Sequence, residues 1–504
     1  MAFKYGLDSM TFDDAIAIAS GKLSAEIQFS AVANISASEE RVERIIESNE
    51  VVYGINTGFG PLCNTLIAPD QTKKLQKNIL VSHSTGVGEA IPVETAKLMM
   101  ILKLHSLARG YSGIRLETLQ RINLHIANDL IPFVPKQGSV GASGDLAPLA
   151  HLFLPLIGKG KVWYQDRWLE TEKALKIYGL EPIELGPKEG LALINGTQFI
   201  SAFGVSVCER LRNALDNADI IAAMSLDSMQ GSVKPFDQRL HNLRPHQGAV
   251  KVAARMRKLL NGSEILQNHL DCDRVQDPYS IRCVPQVHGT SRDAWAHLSN
   301  AVNTEINSVT DNPVIMEEGD AITGGNFHGQ PLALPLDYAC MAASEIGNIS
   351  DRRIYLLLEG KNGLPKLLME DTGINSGFML AQYTSAALVS ENKTLCFPAS
   401  VDSIPTSLGQ EDHVSMGSIS GRKAMATVDN LEKIMSVELL CAAQAFDFRK
   451  PLKSSPILEK CHELVRSNIS HAKKDRIFAE DLEKARELIA DGSLVELTKE
   501  IDND

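Results

Sequence analysis

The sequence has no excess of positive charge and no long apolar run, and each absence excludes a class of protein. Its 504 residues include 50 lysines and arginines against 62 aspartates and glutamates, which gives a formal charge of −12. Nucleic acids and anionic membranes bind clustered positive charge, so this balance argues against both as partners. No apolar run reaches the roughly 18–20 residues that cross a bilayer, and the first residues, MAFKYGLDSM, lack the apolar core of a secretory signal. We therefore expect a soluble, cytoplasmic protein.

Metal-ligand patterns are missing as well. Eight cysteines and thirteen histidines are spread along the chain, but they form no C-x-x-C pair and no H-E-x-x-H motif. In a cytoplasmic chain of this size, cysteines are normally reduced and mostly buried. The sequence therefore predicts neither a metal site nor a disulfide framework.

What the sequence does contain is helical periodicity. One apolar series recurs at gaps of 3, 4, 4 and 3 and so follows one face of a helix, namely Val428, Leu431, Met435, Leu439 and Ala442. Similar patterns predict helices at residues 94–109, 115–129, 291–309, 335–360, 366–390, 412–446 and 479–490. Strand-like runs are few, such as residues 161–164, and they do not alternate with helices. The pattern favours a mainly α fold.

The composition changes near residue 220, which suggests two domains. Residues 1–220 alternate short helices with glycine-rich turns, whereas residues 221–504 form longer helical patterns joined by polar loops. Ser36 and Glu39 have the spacing of a capping box and predict a helix start in the first domain. The long helices of the second domain have several apolar faces, which suggests burial against other copies of the chain.

Three glycine-rich loops interrupt the helices: VVYGINTGFG, QGSVGASGDLA and TGGNFHG. Glycines mark turns in most proteins, and none of these loops has the spacing of a phosphate-binding loop. The second loop contains Ala142-Ser143-Gly144, whose small side chains let the Gly144 amide nitrogen approach the Ala142 carbonyl carbon. Ring closure and loss of two waters, one from the Ser143 side chain, would leave a methylidene-imidazolone. This electrophile, abbreviated MIO, needs no external cofactor.

Motifs along the chain resemble the aromatic amino-acid ammonia-lyase family, in the family's order and from about residue 50 to 450. They are YGINTGFG, VGASGDLAPLAHL, LINGTQ, QDPYSIRCVPQVHG, TDNPVI and GGNFHG. The resemblance implies elimination of ammonia from an α-amino acid by MIO formed from Ala142, Ser143 and Gly144. It also implies a mostly α fold with a long central helical bundle, as in the fumarases and aspartases, and a homotetramer with active sites shared between subunits.

The resemblance assigns roles to further residues. Tyr53 matches the catalytic tyrosine that removes the β-proton, and Tyr279 matches a residue near the electrophile and the amine. Arg282 matches the arginine that binds the substrate carboxylate, a task that suits its planar, two-pronged guanidinium. If the segment is helical, Tyr279 and Arg282 lie on one face.

The resemblance also implies roles for four more residues. Asn195 and Gln276 supply neutral polar groups, together with Gln198, and Phe327 packs beside the ring of the electrophile.

Two positions bear on the substrate side chain. His83 follows a serine, and Glu411 lies in QEDHVSM, as in the histidine-acting members of the family. An imidazole has one N–H donor and one nitrogen acceptor, so a carboxylate and a second imidazole can bind both. A phenyl ring would leave Glu411 as a desolvated charge without a partner. The resemblance, which extends to residues 231–249, thus implies conversion of L-histidine to trans-urocanate and ammonia, the first step of histidine degradation.

Other functions remain open at this point. Ser-His also occurs in some tyrosine-acting relatives, so a tyrosine or phenylalanine ammonia-lyase, or an aminomutase, is the main alternative. The residues Ser-Thr after His83 and Ser-Leu-Gly before Gln410 also depart from the usual histidine-acting pattern. Fumarase-like lyases lack support because no G-S-S-x-M-P-x-K-x-N loop is found in the sequence. A helical assembly protein with a degenerate site is the non-enzymatic alternative.

Overall fold

The computed structural model describes residues 2–48, 51–68, 71–269 and 275–502. Within these ranges the chain forms twenty α-helices and nine short strands. About 60% of the chain is helical, which confirms the predicted mainly α fold. None of the described helices is both long enough and apolar enough to cross a membrane.

The first nine helices lie within residues 12–228, and most of the helices around the candidate site are among them. They are α1 (Phe12–Ala19), α2 (Phe29–Glu47), α3 (Thr72–His83), α4 (Val93–Leu107), α5 (Leu116–Ala127), α6 (Leu146–Phe153), α7 (Thr171–Ile177), α8 (Glu189–Ile194) and α9 (Gln198–Ser228).

Eleven further helices follow in the described chain. They are α10 (Gln238–Leu243), α11 (Gln247–Leu259), α12 (Glu264–Gln267), α13 (Tyr279–Arg282), α14 (Val284–Glu305), α15 (Gln330–Leu358), α16 (Met379–Leu395), α17 (Gly417–Asp447), α18 (Pro456–Asn468), α19 (Phe478–Ala490) and α20 (Ser493–Asp502).

The chain divides into two compact units, and both are assembled from separate stretches of sequence. Unit 1 consists of Met1–Ser206, Leu298–Leu336 and Pro398–Arg422. Unit 2 consists of Val207–His297, Asp337–Phe397 and Lys423–Asp504. Four of the five boundaries between the units fall within helices α9, α14, α15 and α17, and the fifth, between Phe397 and Pro398, follows α16. The division at residue 220 expected from composition stays a prediction.

The strands of unit 1 form small separate sheets. They are β1 (Phe3–Lys4), β2 (Ala25–Glu26), β3 (Val87–Ala90), β4 (Ile131–Pro132), β5 (Pro135–Gln137), β6 (Lys161–Tyr164), β7 (Arg167–Glu170), β8 (Val314–Ile315) and β9 (Ala321–Ile322). Strands β1 and β2 pair in parallel, whereas β3–β5, β4–β6–β7 and β8–β9 are antiparallel. Strand β6 matches the strand predicted at residues 161–164.

The pairing of β3 with β5 fixes one end of the second glycine-rich loop. Val87 lies opposite Gln137, the last residue of β5, and α6 begins at Leu146. The residues between are therefore held between a paired strand and a helix. Helix α6 packs against α3, α4 and α8, and every residue of α4 from Thr95 to Leu107 except Lys97 is buried. A helix that is buried on nearly all sides belongs to the interior of a core.

Helix α17 supplies the core of unit 2. The apolar series predicted from the sequence is buried throughout, with Val428, Leu431, Met435, Leu439 and Ala442 each at most 1% exposed. Its other faces are buried as well, because Ile434, Leu440 and Cys441 are no more than 1% exposed. This part of the helix is therefore buried on several faces and does not have a single apolar face opposite an exposed polar one.

A buried ion pair joins the long helices of unit 2. Arg353 on α15 donates from Nε and Nη2 to the two carboxylate oxygens of Glu438 on α17, at 2.5 and 2.8 Å. Ser225 on α9 donates to the same carboxylate at 2.6 Å. Both charged side chains are at most 1% exposed. Such a pair is costly to desolvate, so its value depends on keeping both partners.

Two sequence-based predictions of helix starts were wrong. Ser36 and Glu39 lie inside α2, which begins at Phe29 because its buried stripe already includes Ala31 and Ile35. The helix predicted at 366–390 begins instead at Met379, since the preceding segment contains residues with positive φ, among them Leu367, Asp371 and Gly373.

Replacing Arg353 by leucine should destabilise the protein by about 3–5 kcal/mol, because Glu438 is left as a buried charge. Thermal and urea unfolding of the purified variant measure the effect. The double substitution Arg353→Leu/Glu438→Leu should recover much of the loss. Arg239→Leu is the control, since that side chain is 90% exposed in its pair with Asp237 and contributes little. Wild-type stability of Arg353→Leu would contradict the assignment.

Candidate active site

The loop around Ala142-Ser143-Gly144 is tightly wound. Ser143 has φ +50° and Gly144 has φ +81°, both in the left-handed region, which a serine adopts only under constraint. A Cβ on Gly144 would lie 2.1 Å from the carbonyl oxygen of Gly196. No side chain fits there, so glycine is required at this position.

The segment after α8 holds this loop from one side. Gly144 and Gly196 form a parallel bridge, and the Asp145 amide donates to the Gly196 carbonyl oxygen at 2.7 Å. The carbonyl oxygen of Ser143 accepts hydrogen bonds from Asn195 Nδ2 at 3.2 Å and from the Gly196 amide at 3.4 Å. Two N–H donors therefore point at the Ser143 carbonyl oxygen, where they would stabilise negative charge.

The stretch after Glu411 holds the loop from another side. The Met416 amide donates to the Val140 carbonyl oxygen at 3.0 Å, and Ser418 Oγ donates to the Ser139 carbonyl oxygen at 2.6 Å. A Cβ on Gly141 would lie 2.2 Å from Ser415 Oγ. The loop is thus enclosed by backbone and hydroxyl groups on both sides.

Asp145 ties the loop to the start of α9. Its Oδ2 accepts from the Ile200 amide at 3.0 Å, and its Oδ1 accepts from Ser139 Oγ at 3.4 Å. The side chain is fully buried, and burial raises its pKa to about 7 against the effect of these hydrogen bonds. An acceptor at a helix N-terminus satisfies amides that the helix itself cannot pair.

A cavity of about 500 Å³ lies beside the loop in unit 1. It brings together five of the residues predicted from the sequence: Tyr53, His83, Ser143, Asn195 and Glu411. Leu191, Leu75 and other apolar side chains form much of the remaining wall. Ala142, which precedes Ser143 in the sequence, is half-buried. A concave apolar space with a few converging polar groups is typical of a small-molecule site.

Tyr53 faces the cavity with its hydroxyl held by the backbone. The Gly60 amide donates to Tyr53 Oη at 3.2 Å. Burial raises the pKa of Tyr53, the Gly60 hydrogen bond lowers it, and the Glu411 carboxylate raises it further. To act as a base, this phenol therefore needs additional stabilisation of its ionised form from bound substrate or another positive group.

His83 ends helix α3 at the edge of the cavity. Its Nδ1 lies 3.0 Å from Ser82 Oγ, and burial lowers the pKa of the ring. The imidazole is therefore neutral near pH 7 and offers both a donor and an acceptor.

Glu411 faces the loop directly. Its Oε1 accepts from Ser143 Oγ at 2.9 Å, while Oε2 accepts from Thr406 Oγ1 at 2.9 Å and from Ser407 Oγ at 2.7 Å. The sequence analysis predicted Glu411 as a substrate-binding residue, but it missed the hydrogen bond from Ser143 and the two hydroxyl donors Thr406 and Ser407. Their closeness to Glu411 in the sequence was the available signal.

Asn195 is supported from behind by a buried lysine that was also missed. Lys103 on α4 donates from Nζ to the Asn195 carbonyl oxygen, and burial lowers the pKa of this lysine to about 8. The side-chain oxygens of Asn195 and Gln198 are buried without a hydrogen-bond partner among the described residues. Buried polar atoms are rarely left unsatisfied, and Asn195 is one of the residues that line the cavity.

The remaining predicted residues lie elsewhere. Phe327 is half-buried in unit 1 and does not line the cavity. Gln276, Tyr279 and Arg282 belong to unit 2, where Gln276 is exposed and Tyr279 is 71% exposed. Arg282 Nε donates to the Asp277 carbonyl oxygen at 3.1 Å.

Tyr279 and Arg282 do share one face, as predicted for a helical segment. Both lie on α13, and the Arg282 guanidinium carbon is 4.5 Å from the centre of the Tyr279 ring. This cation–π contact orients the planar guanidinium. Among the described residues, no three side chains of histidine, cysteine, aspartate or glutamate converge to hold a metal ion.

The geometry of the loop is compatible with a ring formed from the loop's own atoms. Gly144 has space for no side chain, Ser143 is held in a strained conformation, and the Ser143 carbonyl oxygen faces two donors. Small residues under this compression are what ring closure between positions 142 and 144 needs.

The chain is similar to known proteins over most of its length. The family described as aromatic amino acid lyase matches residues 10–467. The chain is 49% identical over 480 residues to a histidine ammonia-lyase of Natranaerobius thermophilus, covering 94% of both chains.

Two solved structures are similar over nearly their whole length. The histidine ammonia-lyase of Trypanosoma cruzi has a TM-score of 0.92 and 41% identity, with 99% of this chain and 96% of that chain covered. The tyrosine aminomutase of Streptomyces globisporus has a TM-score of 0.94 and 34% identity, with 99% of both chains covered.

Gly144→Ala should prevent the loop from closing on itself, because the added Cβ meets the Gly196 carbonyl oxygen. We expect the intact mass of this variant to show no loss of water and its unfolding midpoint to fall. Gly319→Ala is the control: that glycine also has positive φ but open space around it, so only backbone strain of about 1–3 kcal/mol is added. A dehydrated Gly144→Ala protein would refute this reading of the loop.

Proposed function

The chain belongs to the aromatic amino acid lyase family, and from this premise we propose that it catalyses the histidine ammonia-lyase reaction. L-Histidine loses ammonia without oxidation and leaves as trans-urocanate. The observation that carries the proposal is the cavity in which Glu411 and His83 accompany the Ser143 loop. The histidine ammonia-lyase of Natranaerobius thermophilus, at 49% identity, supports the same reaction.

Members of the family use an internal cofactor, and we propose that here it is MIO, formed by Ala142, Ser143 and Gly144. Once formed, MIO would supply an electrophilic carbon for attack by the substrate amine, and this attachment would make the amine a better leaving group. Asn195 Nδ2 and the Gly196 amide, both donors to the Ser143 carbonyl oxygen, stabilise negative charge on that oxygen. Preorganised donors of this kind are among the strongest catalytic devices in enzymes.

Tyr53 is the proposed base that removes the β-proton. Its hydroxyl lies in the same cavity as Ser143. The Gly60 amide stabilises the phenolate, whereas burial and Glu411 oppose it. Proton transfer by a positioned base typically contributes ~10²–10⁴-fold to a rate.

Substrate binding is divided among polar groups of different character. We propose that Arg282 binds the carboxylate, with Tyr279 near the amine and with Gln276 and Asn195 as neutral partners. Support for Asn195 is its buried, unsatisfied side-chain oxygen. The contact with Tyr279 holds the Arg282 guanidinium in one orientation. Phe327 remains a proposed packing residue of the electrophile.

The side chain of the substrate is read by Glu411 and the neutral His83. One accepts from the imidazole N–H, and the other pairs with the second ring nitrogen. A site built to hydrogen-bond a substrate group rejects analogues without it more strongly than an apolar pocket does. The similarity to a tyrosine aminomutase makes tyrosine the competing substrate.

The decisive test is an amino-acid panel with the purified protein. Histidine, tyrosine and phenylalanine are supplied separately while ammonia and product absorbance are followed. Histidine should have the highest kcat/KM, and Ser143→Ala should abolish turnover while keeping the fold. Glu411→Gln should lower kcat/KM for histidine by about 10-fold or more, the equivalent of ~1.4 kcal/mol. A wild-type preference for tyrosine would overturn the proposed substrate.

We also propose that the chain acts as a homotetramer with shared active sites in the cytoplasm. Exposed apolar residues on α15 support self-association: Tyr338 is 43%, Met341 45% and Tyr355 54% exposed. They lie on one helix face, since their spacings follow the helical repeat. This stripe also contains exposed polar residues, Glu345 and Arg352, between Met341 and Tyr355.

Charged substitutions on this stripe test the assembly. Met341→Glu with Tyr355→Glu should convert the wild-type tetramer to smaller species in analytical ultracentrifugation, because carboxylates are expensive to bury. Ile477→Glu is the control, as that residue is 70% exposed outside α15. A monomeric wild type rules out the tetramer.

A further inference from the structure

The turn that carries Glu411 is built from strained backbone. Ser407, Leu408 and Gly409 have φ of +51°, +55° and +88°. Thr406 and Glu411 close the turn, with the Thr406 amide donating to the Glu411 carbonyl oxygen at 2.9 Å. Two consecutive non-glycine residues in the left-handed region are uncommon and persist only where surrounding contacts impose them.

This turn delivers two hydroxyls to one carboxylate oxygen. Thr406 Oγ1 and Ser407 Oγ both donate to Glu411 Oε2, at 2.9 and 2.7 Å. The other oxygen, Oε1, accepts from Ser143 Oγ at 2.9 Å. Glu411 and Ser143 both line the cavity, so Oε1 is the oxygen directed at the reacting loop.

The two carboxylate oxygens of Glu411 differ in which hydrogen bonds they keep when the proposed internal cofactor forms. Ser143 then loses its Cα–H and its Cβ–O bond, a carbon–carbon double bond forms, and the hydroxyl leaves as water. Oε1 loses its donor in this step, whereas Oε2 keeps both of its donors. No proton is gained or lost by Glu411 in the balance.

We propose that Thr406 and Ser407 are positioning residues that hold Glu411 by Oε2, so that Oε1 is presented to the substrate N–H in the place left by the Ser143 hydroxyl. The inference rests on the proposed function, because it assigns a partner to that same site. A glutamate side chain has several rotatable bonds, and fixing it in advance removes an entropic penalty from binding. Hydrogen bonds to a charged acceptor are the strong ones.

The test is a double-mutant cycle. Ser407→Ala, Thr406→Val and the double variant are made in the wild type and in Glu411→Gln, and kcat and KM for histidine are measured. Each single substitution should lower kcat/KM by about 10-fold in the wild type and by less than about 2-fold in Glu411→Gln. Thr406→Ser should retain activity, because it keeps the hydroxyl at a position whose backbone is extended, with φ −129°.

Two readouts separate positioning from a structural defect. The intact mass should show loss of two waters in every Thr406 and Ser407 variant, because cofactor formation does not depend on Oε2 of Glu411. Ser403→Ala is the matched control: Ser403 Oγ accepts from the Val414 amide nearby but does not touch Glu411. This control should retain wild-type kcat/KM.

Several outcomes overturn the proposal. They are an unchanged kcat/KM in Ser407→Ala and Thr406→Val, an equal loss in both backgrounds, or variants that fail to dehydrate. If the wild type is dehydrated but does not convert histidine, the proposed substrate fails, and the assignment of Oε1 to a substrate N–H fails with it. A wild type that is inactive on the whole panel removes both proposals.

Discussion

The close approach of Gly144 to the Gly196 carbonyl is the contact on which the site depends. It brings the Ser143 carbonyl oxygen within reach of Asn195 and the Gly196 amide, and it sets the direction of the Ser143 side chain toward Glu411. Because backbone meets backbone, no rotamer change can relieve a side chain added here. The core helices around the loop serve to keep this approach rigid.

Polar groups around the cavity are of two kinds, those with a hydrogen-bond partner in the protein and those without one among the described residues. Lys103 supports the Asn195 backbone, and Asp145 satisfies amides at the start of α9. In contrast, the side-chain oxygen of Asn195 has no partner among the described residues. The side-chain oxygen of Gln198 is likewise buried without a partner there. Burying such atoms without a hydrogen bond costs free energy, which the packing of the rest of the site has to offset.

The sequence predicted the helical class, the buried series on α17 and the residues around the cavity, because these depend on local periodicity and on the motifs. It could not predict that α2 begins at Phe29, where tertiary packing extends the buried stripe beyond the apparent cap. Helix α9 was not predicted, although it spans Gln198–Ser228. The hydrogen bond from Ser143 to Glu411 spans 268 residues of sequence, and only folding reveals which hydroxyls accompany it.

The discontinuity of unit 1 also sets the order of events during synthesis of the chain. Residues 138–145 leave the ribosome early, but Ser415, Met416 and Ser418, which enclose them, belong to Pro398–Arg422. The enclosing segment that contains Asn195 and Gly196 is translated early, whereas Ser415, Met416 and Ser418 lie in the last fifth of the 504-residue sequence. The ring closure that we propose for Ala142, Ser143 and Gly144 would therefore wait for this second enclosing segment.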